Sequence, residues 1–520
     1  MLQLTPRKKA FLTGTLLLTF TGLICRILGF FYRIYLSRTI GAEGLGLYQM
    51  IHPLFGICFA LCAGSLQTAL SQYVAARQAQ GKKALLAALS VSVSLSVLLA
   101  WFITAFRTPL ARYVLLETRC APFLPVIALS VPFCALHACI NGYYYGMKQT
   151  RVPALSQVAE QGIRMVTVWL IVCVWTEKSR PVTVELAFYG HLAGETASAL
   201  FTLMCLGAFP PRPEKRPVPC SQDVPPLPQA PYPSSPEAER SFFQVLSALL
   251  ALALPLMGNR LILNILGSAE AVWIPDRLTA SGLSDSQALS LYGVLTSMAM
   301  PFIFFPSAIT NSMAVLLLPS AAEAQAVGNK ERISSMLAAS IRYSCYMGIL
   351  CIGIFTRFGY TLGTSLFHNE QAGAFITTLC WLCPFMYLAT TLGSIQNGLG
   401  KTSSTFFQNV SALILRLLFV LFAIPAFGIR GYLWGLLASE LALALMCCLN
   451  LSRLAPICWD AFSMIVKPIL ILLIAFGMNL FLGALFPGLS SLPSFFNAAV
   501  QIGFISLVYG GMLVLFHKKK

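Results

Sequence analysis

Residues 190–200 read GHLAGETASAL and residues 435–445 read GLLASELALAL. The two stretches agree at seven of eleven positions with an offset of 245, which puts Glu195 on Glu440. A second pair, LSQYVAARQAQGKK (70–83) and LLPSAAEAQAVGNK (317–330), agrees at six of fourteen with an offset of 247. There Gly81 falls on Gly328 and Lys83 on Lys330. Two separate segments sharing nearly one offset indicate an internal duplication. The repeated unit is apolar, and that decides what kind of fold is duplicated.

The chain has 520 residues, 57% hydrophobic and 10% charged, with a mean hydropathy of +0.76. A soluble domain carries roughly 25% charged residues. A water-soluble protein of this size has no interior large enough for so much apolar side chain. Soluble enzymes, nucleic-acid-binding proteins and disordered scaffolds are excluded. A spanning helix needs roughly 20 apolar residues. Such windows fall near 10–35, 48–74, 84–106, 122–146, 154–176 and 184–209. After a polar gap they resume near 242–267, 288–320, 334–357, 372–396, 405–427, 431–452, 464–486 and 495–516. The first is no cleavable signal peptide, being long, carrying Arg26 and Arg33, and lacking a small-residue cleavage site. The expected fold is therefore an all-α polytopic membrane protein of about fourteen spans. Six spans per half is an even number, so both copies enter from the same side. The repeat is parallel, about an axis along the membrane normal, with two C-terminal helices outside it.

The net charge of +17 is read by position. With the N-terminus inside, the inner loops hold 20 Lys and Arg, the outer loops 9, and six arginines lie within spans, accounting for all 35. This bias predicts a bacterial plasma-membrane protein with both termini cytoplasmic. The gap reads PPRPEKRPVPCSQDVPPLPQAPYPSSPEAER, and its prolines favour extended, solvated chain. The expected organisation is a first lobe over 1–209, a cytoplasmic tether over 210–241, a second lobe over 242–455, and two further helices with a basic tail over 456–520.

Charges inside a bilayer are costly and mark functional sites by default. Arg26 and Arg33 are seven residues apart, two helical turns, and share a face. Gly22 and Gly29, on a face rotated by about 40°, suggest close approach of a neighbouring helix. A stripe of arginines suits phosphate oxygens; the plainer account is that Arg33 snorkels to the interface near Arg38. Arg260, midway along the span that opens the second half, is expected to face Arg26 across the pseudo-axis and complete a cationic substrate cavity. Glu160 and Arg164 are four apart and pair along one helix. Glu195, Glu440, Arg342 and Arg416 are coupling or structural charges; for the two glutamates, anchoring spans against the arginines is the favoured task.

No catalytic constellation is present: no Gly-rich phosphate loop, no HExxH, no GxSxG. Asp276 beside Arg277 makes no paired-carboxylate metal motif. The 16 cysteines lie mostly in apolar runs. Cys380 and Cys383 form a CxxC mid-span without a second pair or nearby histidines, and read as inert buried thiols. No enzyme activity, cofactor or metal is expected.

The opening GTLLLTFTGLICRILGFFYRIYLSRTIGAEGLGLYQM resembles the start of the stage V sporulation protein B family. These are polysaccharide-biosynthesis-type transporters of the multidrug/oligosaccharidyl-lipid/polysaccharide flippase superfamily. The resemblance continues in order through NGYYYGMKQTRVPALSQVAEQGIRM, IPDRLTASGLSDSQALSLYG and NGLGKT, and covers nearly the whole chain. It implies fourteen helices in two six-helix lobes that open alternately to either side. It also implies kinship with lipid II flippases, which use first-span arginines in a central cationic cavity to hold the lipid diphosphate. That role carries to Arg26 and Arg33. Those flippases also use an arginine early in span eight, where this chain reads LSLYGVLTS.

The leading expectation is a flippase for an undecaprenyl-diphosphate-linked cell-wall precursor, a peptidoglycan precursor in sporulation, working by alternating access as a monomer. Its partners are the lipid-linked glycan, the bilayer, and a coupling cation or the membrane potential, with no nucleic acid. Two alternatives stand beside it: a cation-coupled small-molecule exporter of the same superfamily, and a non-transporting scaffold. Six span arginines against three span glutamates favour an anionic substrate, and a scaffold needs no arginines within its spans.

Overall fold

The computed structural model describes residues 6–211, 241–456, 460–486, 488 and 492–517. Most of the tether expected over 210–241, and the terminal lysines 518–520, lie outside the described residues. The described chain is helical, with no strand. The first half comprises α1 (Pro6–Phe59), α2 (Ser65–Ala76), α3 (Gly81–Ala105), α4 (Leu124–Gly146), α5 (Arg151–Glu177) and α6 (Glu185–Ala208). The second comprises α7 (Phe242–Ala280), α8 (Asp285–Gly293), α9 (Ser307–Ala326), α10 (Lys330–Phe367), α11 (Glu370–Leu379), α12 (Cys383–Gly398), α13 (Thr402–Phe427) and α14 (Ile429–Ser452). Then come α15 (Lys467–Leu485) and α16 (Ser494–His517).

Twelve of the described helical runs are long and apolar enough to cross a membrane. They account for the expected segments differently from fourteen separate windows. The first two windows form one 60-residue run, Leu17–Ala76. It is broken at Gly41, where φ is +70°, a left-handed conformation open to glycine at no steric cost. Helix α6 crosses the bundle but falls outside the twelve, because His191 and Glu195 dilute its apolar run. The window 288–320 is also not one helix. It runs through a π turn at Val294–Ala299 and breaks at Phe305–Pro306 before α9. Proline there lacks the N–H that would continue the helix.

Local chemistry sets the starts. Ser284 and Gln287 form a reciprocal capping box at α8, at 3.3 and 3.1 Å. Asn329 and Asn369 accept from the third residue of α10 and α11, each at 2.9 Å. Within the first half α4 packs on α2, α3 and α6, and α5 packs on α6 and α1. In the second, α9 packs on α12, α10 on α11 and α12, and α13 on α14 and α7. The extra helices α15 and α16 pack on each other and on α10. Large side chains such as Met204, Phe422, Phe481 and Leu507 lie exposed on the outside of the bundle. Such a surface needs an apolar solvent, and a helix bundle satisfies its own backbone within one. This is a multi-pass membrane protein.

The two repeated stretches occupy matching places. The 190–200 and 435–445 segments lie in α6 and α14, the last helix of each half. The 70–83 and 317–330 segments both end a helix, turn, and start the next one.

The halves meet at both ends of the bundle. At the end opposite the N-terminus, α1 crosses α8 so closely that both positions require glycine. A Cβ on Gly46 would strike the Leu289 carbonyl, and one on Gly293 would strike the Ala42 carbonyl and come within 2.7 Å of the Gly46 nitrogen. Arg38 reinforces this end, donating to the Leu366 carbonyl at 2.8 and 3.0 Å. At the other end, Leu70, Tyr73 and Val74 of α2 share an apolar cluster with Val245 and Leu249 of α7.

Candidate functional site: arginines at the junction of the halves

Helix α1 carries two of the predicted arginines. Arg33 is half-buried, and its guanidinium lies 3.5 Å from the carbonyl oxygen of Thr296, in the π turn of the second half. Arg26, two turns nearer the N-terminus, is exposed and makes no hydrogen bond or ion pair among the described residues. Gly22 and Gly29 do not admit a close neighbour, since a Cβ at either would meet open space. Arg26 is accessible on this stretch of α1.

Arg260 lies on α7 of the second half. It reaches into the first half and donates to the hydroxyl of Thr68 on α2 at 3.1 Å. Gly64 makes room for it, because a Cβ there would collide with the guanidinium. The contacts are thus reciprocal: Arg33 of the first half reaches the second, and Arg260 of the second reaches the first.

Arg342 on α10 lines a cavity of about 1140 Å³ between α1, the segment around Pro306, α10 and α16. Its Nε is buried, with no hydrogen-bond partner among the described residues. The other walls are apolar and include Ile27, Phe30, Tyr343, Leu350 and Leu513.

The remaining two span arginines are different in kind. Arg164 lies 2.6 Å from Glu160 and 3.7 Å from Glu195. Arg416 lies 3.0 Å from Glu270 and 4.0 Å from Glu440. Tyr432 adds a hydrogen bond to Glu270 at 2.6 Å. Each half therefore holds one arginine on its fifth crossing between two carboxylates, one of them from its sixth. The span arginines sort into two classes: Arg164 and Arg416 are neutralised by acids, whereas Arg26, Arg33, Arg260 and Arg342 have no acid within 4.0 Å among the described residues. These last four all sit on helices bordering the junction.

Sequence reading missed Glu270, His137 and His191. Glu270 lies three residues past the expected end of its span, but α7 continues to Ala280. Four span glutamates, not three, face the six arginines. His137 lies 2.8 Å from Glu195, and His191 3.9 Å from it. Nothing in the one-dimensional pattern pairs α4 with α6. The matching Arg–Glu placements in the fifth and sixth crossings were a legible signal for Arg164 and Arg416. The CxxC cysteines are buried and unpaired by disulfide.

The fold defines a class, the multi-helix membrane proteins built as two lobes. The chain resembles a solved inward-closed structure of lipid II flippase MurJ, with a TM-score of 0.68, 12% identity, and 97% and 99% of the two chains covered. It also resembles an inward-facing multidrug resistance MATE family transporter of the MOP superfamily, with a TM-score of 0.62, 16% identity, and 83% and 95% covered. The polysaccharide biosynthesis protein family matches residues 11–282, and the chain belongs to that family. Among curated relatives, stage V sporulation protein B of Bacillus subtilis (strain 168) is 27% identical over 468 residues, covering 86% of this chain and 85% of that one.

Proposed function

We propose that this protein is a flippase for an undecaprenyl-diphosphate-linked cell-wall precursor, a peptidoglycan precursor in sporulation, carried by alternating access of the two halves. The observation that carries the reading is the segregation of the arginines. A membrane interior that pairs two of its arginines with acids but leaves four unpaired at the junction is built for an anion that is itself a guest. A lipid diphosphate brings about two negative charges, and its removal from water is prohibitive unless fixed cations replace its hydration. Arginine stays protonated and offers forked donors to phosphate oxygens. Arg26, Arg33 and Arg260 form the proposed diphosphate site. The apolar cavity beginning at Ile27 and Arg342 suits a polyprenyl tail joined to that head. The relationship to stage V sporulation protein B supports the sporulation setting, and the charge count disfavours a cationic drug.

The proposed orientation has both termini cytoplasmic, so that the crossing at Gly46 and Gly293 faces outward. The proposed organisation keeps the lobes at 1–209 and 242–455, the tether at 210–241 and the accessory helices at 456–520. Purified protein reconstituted in vesicles with defined lipid-linked sugars tests the function. Translocation of diphosphate-linked glycans over neutral glycolipids is expected, and equal handling of both would defeat the reading.

A further inference from the structure

The interior of the first half holds a group of side chains that an anion site at the junction does not use. Cys134 and His137 stand three residues apart on α4, and His191 and Glu195 stand four apart on α6. Both spacings put the two side chains of a helix on one face, and α4 packs against α6. One ligand atom each of Cys134, His137 and Glu195 lie within 4.8 Å of one another. Neither ring nitrogen of His191 has a hydrogen-bond partner among the described residues, although its Nε2 is 3.9 Å from a Glu195 oxygen and the residue is 2% exposed. A buried imidazole with nothing to bond is costly, and this one lies nearest Oε1 of the carboxylate whose Oε2 meets His137.

We infer that these four residues form a binding site for a divalent transition-metal ion of the zinc class, tying α4 to α6. The donor set argues for the metal: one thiolate, two imidazoles and one carboxylate suit a borderline-soft ion in tetrahedral geometry. Calcium and magnesium take oxygen ligands and have no reason to select this set. Zinc bonds of about 2.0–2.3 Å place ligand atoms roughly 3.3–3.7 Å apart. His137 and Glu195, now at 2.8 Å, would open by about half an ångström, and the others would draw in. Charge argues for it too. Arg164 is matched by Glu160 at 2.6 Å. A divalent ion with the Cys134 thiolate and the Glu195 carboxylate is then neutral, which a low-dielectric interior requires. Binding forms the metal–sulfur bond and releases the thiol proton to solvent. His137 is the ligand with the most open side chain, 12% exposed, and marks the way in.

The test uses the full chain, purified in detergent, reduced, stripped with chelator and titrated with Co²⁺ and then Zn²⁺ alone. The expected result is one saturable equivalent, with near-ultraviolet thiolate-to-cobalt charge transfer and the intense visible bands of tetrahedral cobalt, displaced by zinc. Cys134→Ser should abolish the charge-transfer band, and Cys383→Ser should leave it intact. His137→Gln should weaken binding by more than the roughly 10- to 100-fold that loss of an outer-shell partner costs. Gel-filtration profiles of the variants check that each remains folded. Absence of a saturable equivalent in the wild type would overturn the site. So would a band that survives Cys134→Ser or disappears in Cys383→Ser.

Discussion

The guanidinium of Arg260 donates to the hydroxyl of Thr68 across the boundary between the two halves, at 3.1 Å. A cation that spends its donors on one neutral hydroxyl remains electrostatically unsatisfied, and the same contact fixes where it sits. Thr68→Val should therefore keep the charge and lose the placement. The expected outcome is a loss of transport of about tenfold with normal insertion, since one charge-assisted hydrogen bond contributes on the order of 1.5 kcal/mol. Arg260→Ala should lose more than Thr68→Val. Initial rates in vesicles, normalised to incorporated protein, check the order.

Arg164 and Arg416 each lie between two carboxylates. Removing one partner of a buried pair leaves an uncompensated charge and costs about 3–5 kcal/mol. Arg164→Ala, which strands Glu160 and Glu195, should lower thermal stability sharply, as should Arg416→Ala, which strands Glu270 and Glu440. Glu160→Gln added to Arg164→Ala should restore part of the loss. Melting temperatures in detergent check this, and equal stability of Arg164→Ala and wild type would remove the arginine from the scaffold.

The crossing at Gly46 and Gly293 admits no side chain. Gly293→Val should prevent this end from closing while leaving each half folded. The expected phenotype is transport lost at normal abundance, with raised accessibility of a cysteine placed at Ala42. Unchanged accessibility would mean that the crossing relaxes to accept the side chain.

Near the same end, Arg119 lies 2.6 Å from Glu43 and 2.9 Å from Glu117. Burial pulls the Glu117 carboxyl upward, but the hydrogen bonds and charge of Arg119 outweigh it and hold the group below its usual range. A carboxyl depressed on folding contributes stability that is present above its unfolded value and is lost as pH falls through its folded value. The stability difference between wild type and Arg119→Ala should thus be full at neutral pH and shrink on acidification below about pH 4.3, the ordinary value for glutamate. Melting temperature against pH reads it directly.

What the chain disclosed in one dimension was its periodic and its charged content. Apolar runs located the helices because a bilayer demands about 20 such residues in a row, and the Glu195/Glu440 match located the duplication. The Glu160–Arg164 spacing sufficed because the pair lies on one helix. Pairings between helices were hidden: Glu195 meets His137 from 58 residues away, and Arg260 meets Thr68 from 192. Gly41 was not read as a break, because a single glycine in an apolar run does not reveal its φ. Glu270 was lost to a boundary drawn at 267, before a helix whose interior prolines Pro255 and Pro275 do not end it.

Among the four arginines with no acid within 4.0 Å among the described residues, Arg26 is the most exposed, and in the proposed function it meets the anionic lipid headgroup. The most direct measurement is translocation of an undecaprenyl-diphosphate-linked sugar in vesicles holding equal amounts of wild type, Arg26→Ala, Arg26→Lys and, as a control away from the junction, Arg453→Ala. The account predicts that Arg26→Ala loses roughly ten- to a hundredfold in substrate affinity, as removal of one charge-assisted contact implies. Arg26→Lys should recover part of it, because the ammonium keeps the charge without the fork, and Arg453→Ala should be nearly silent. Wild-type transport by Arg26→Ala at equal incorporation would contradict the account.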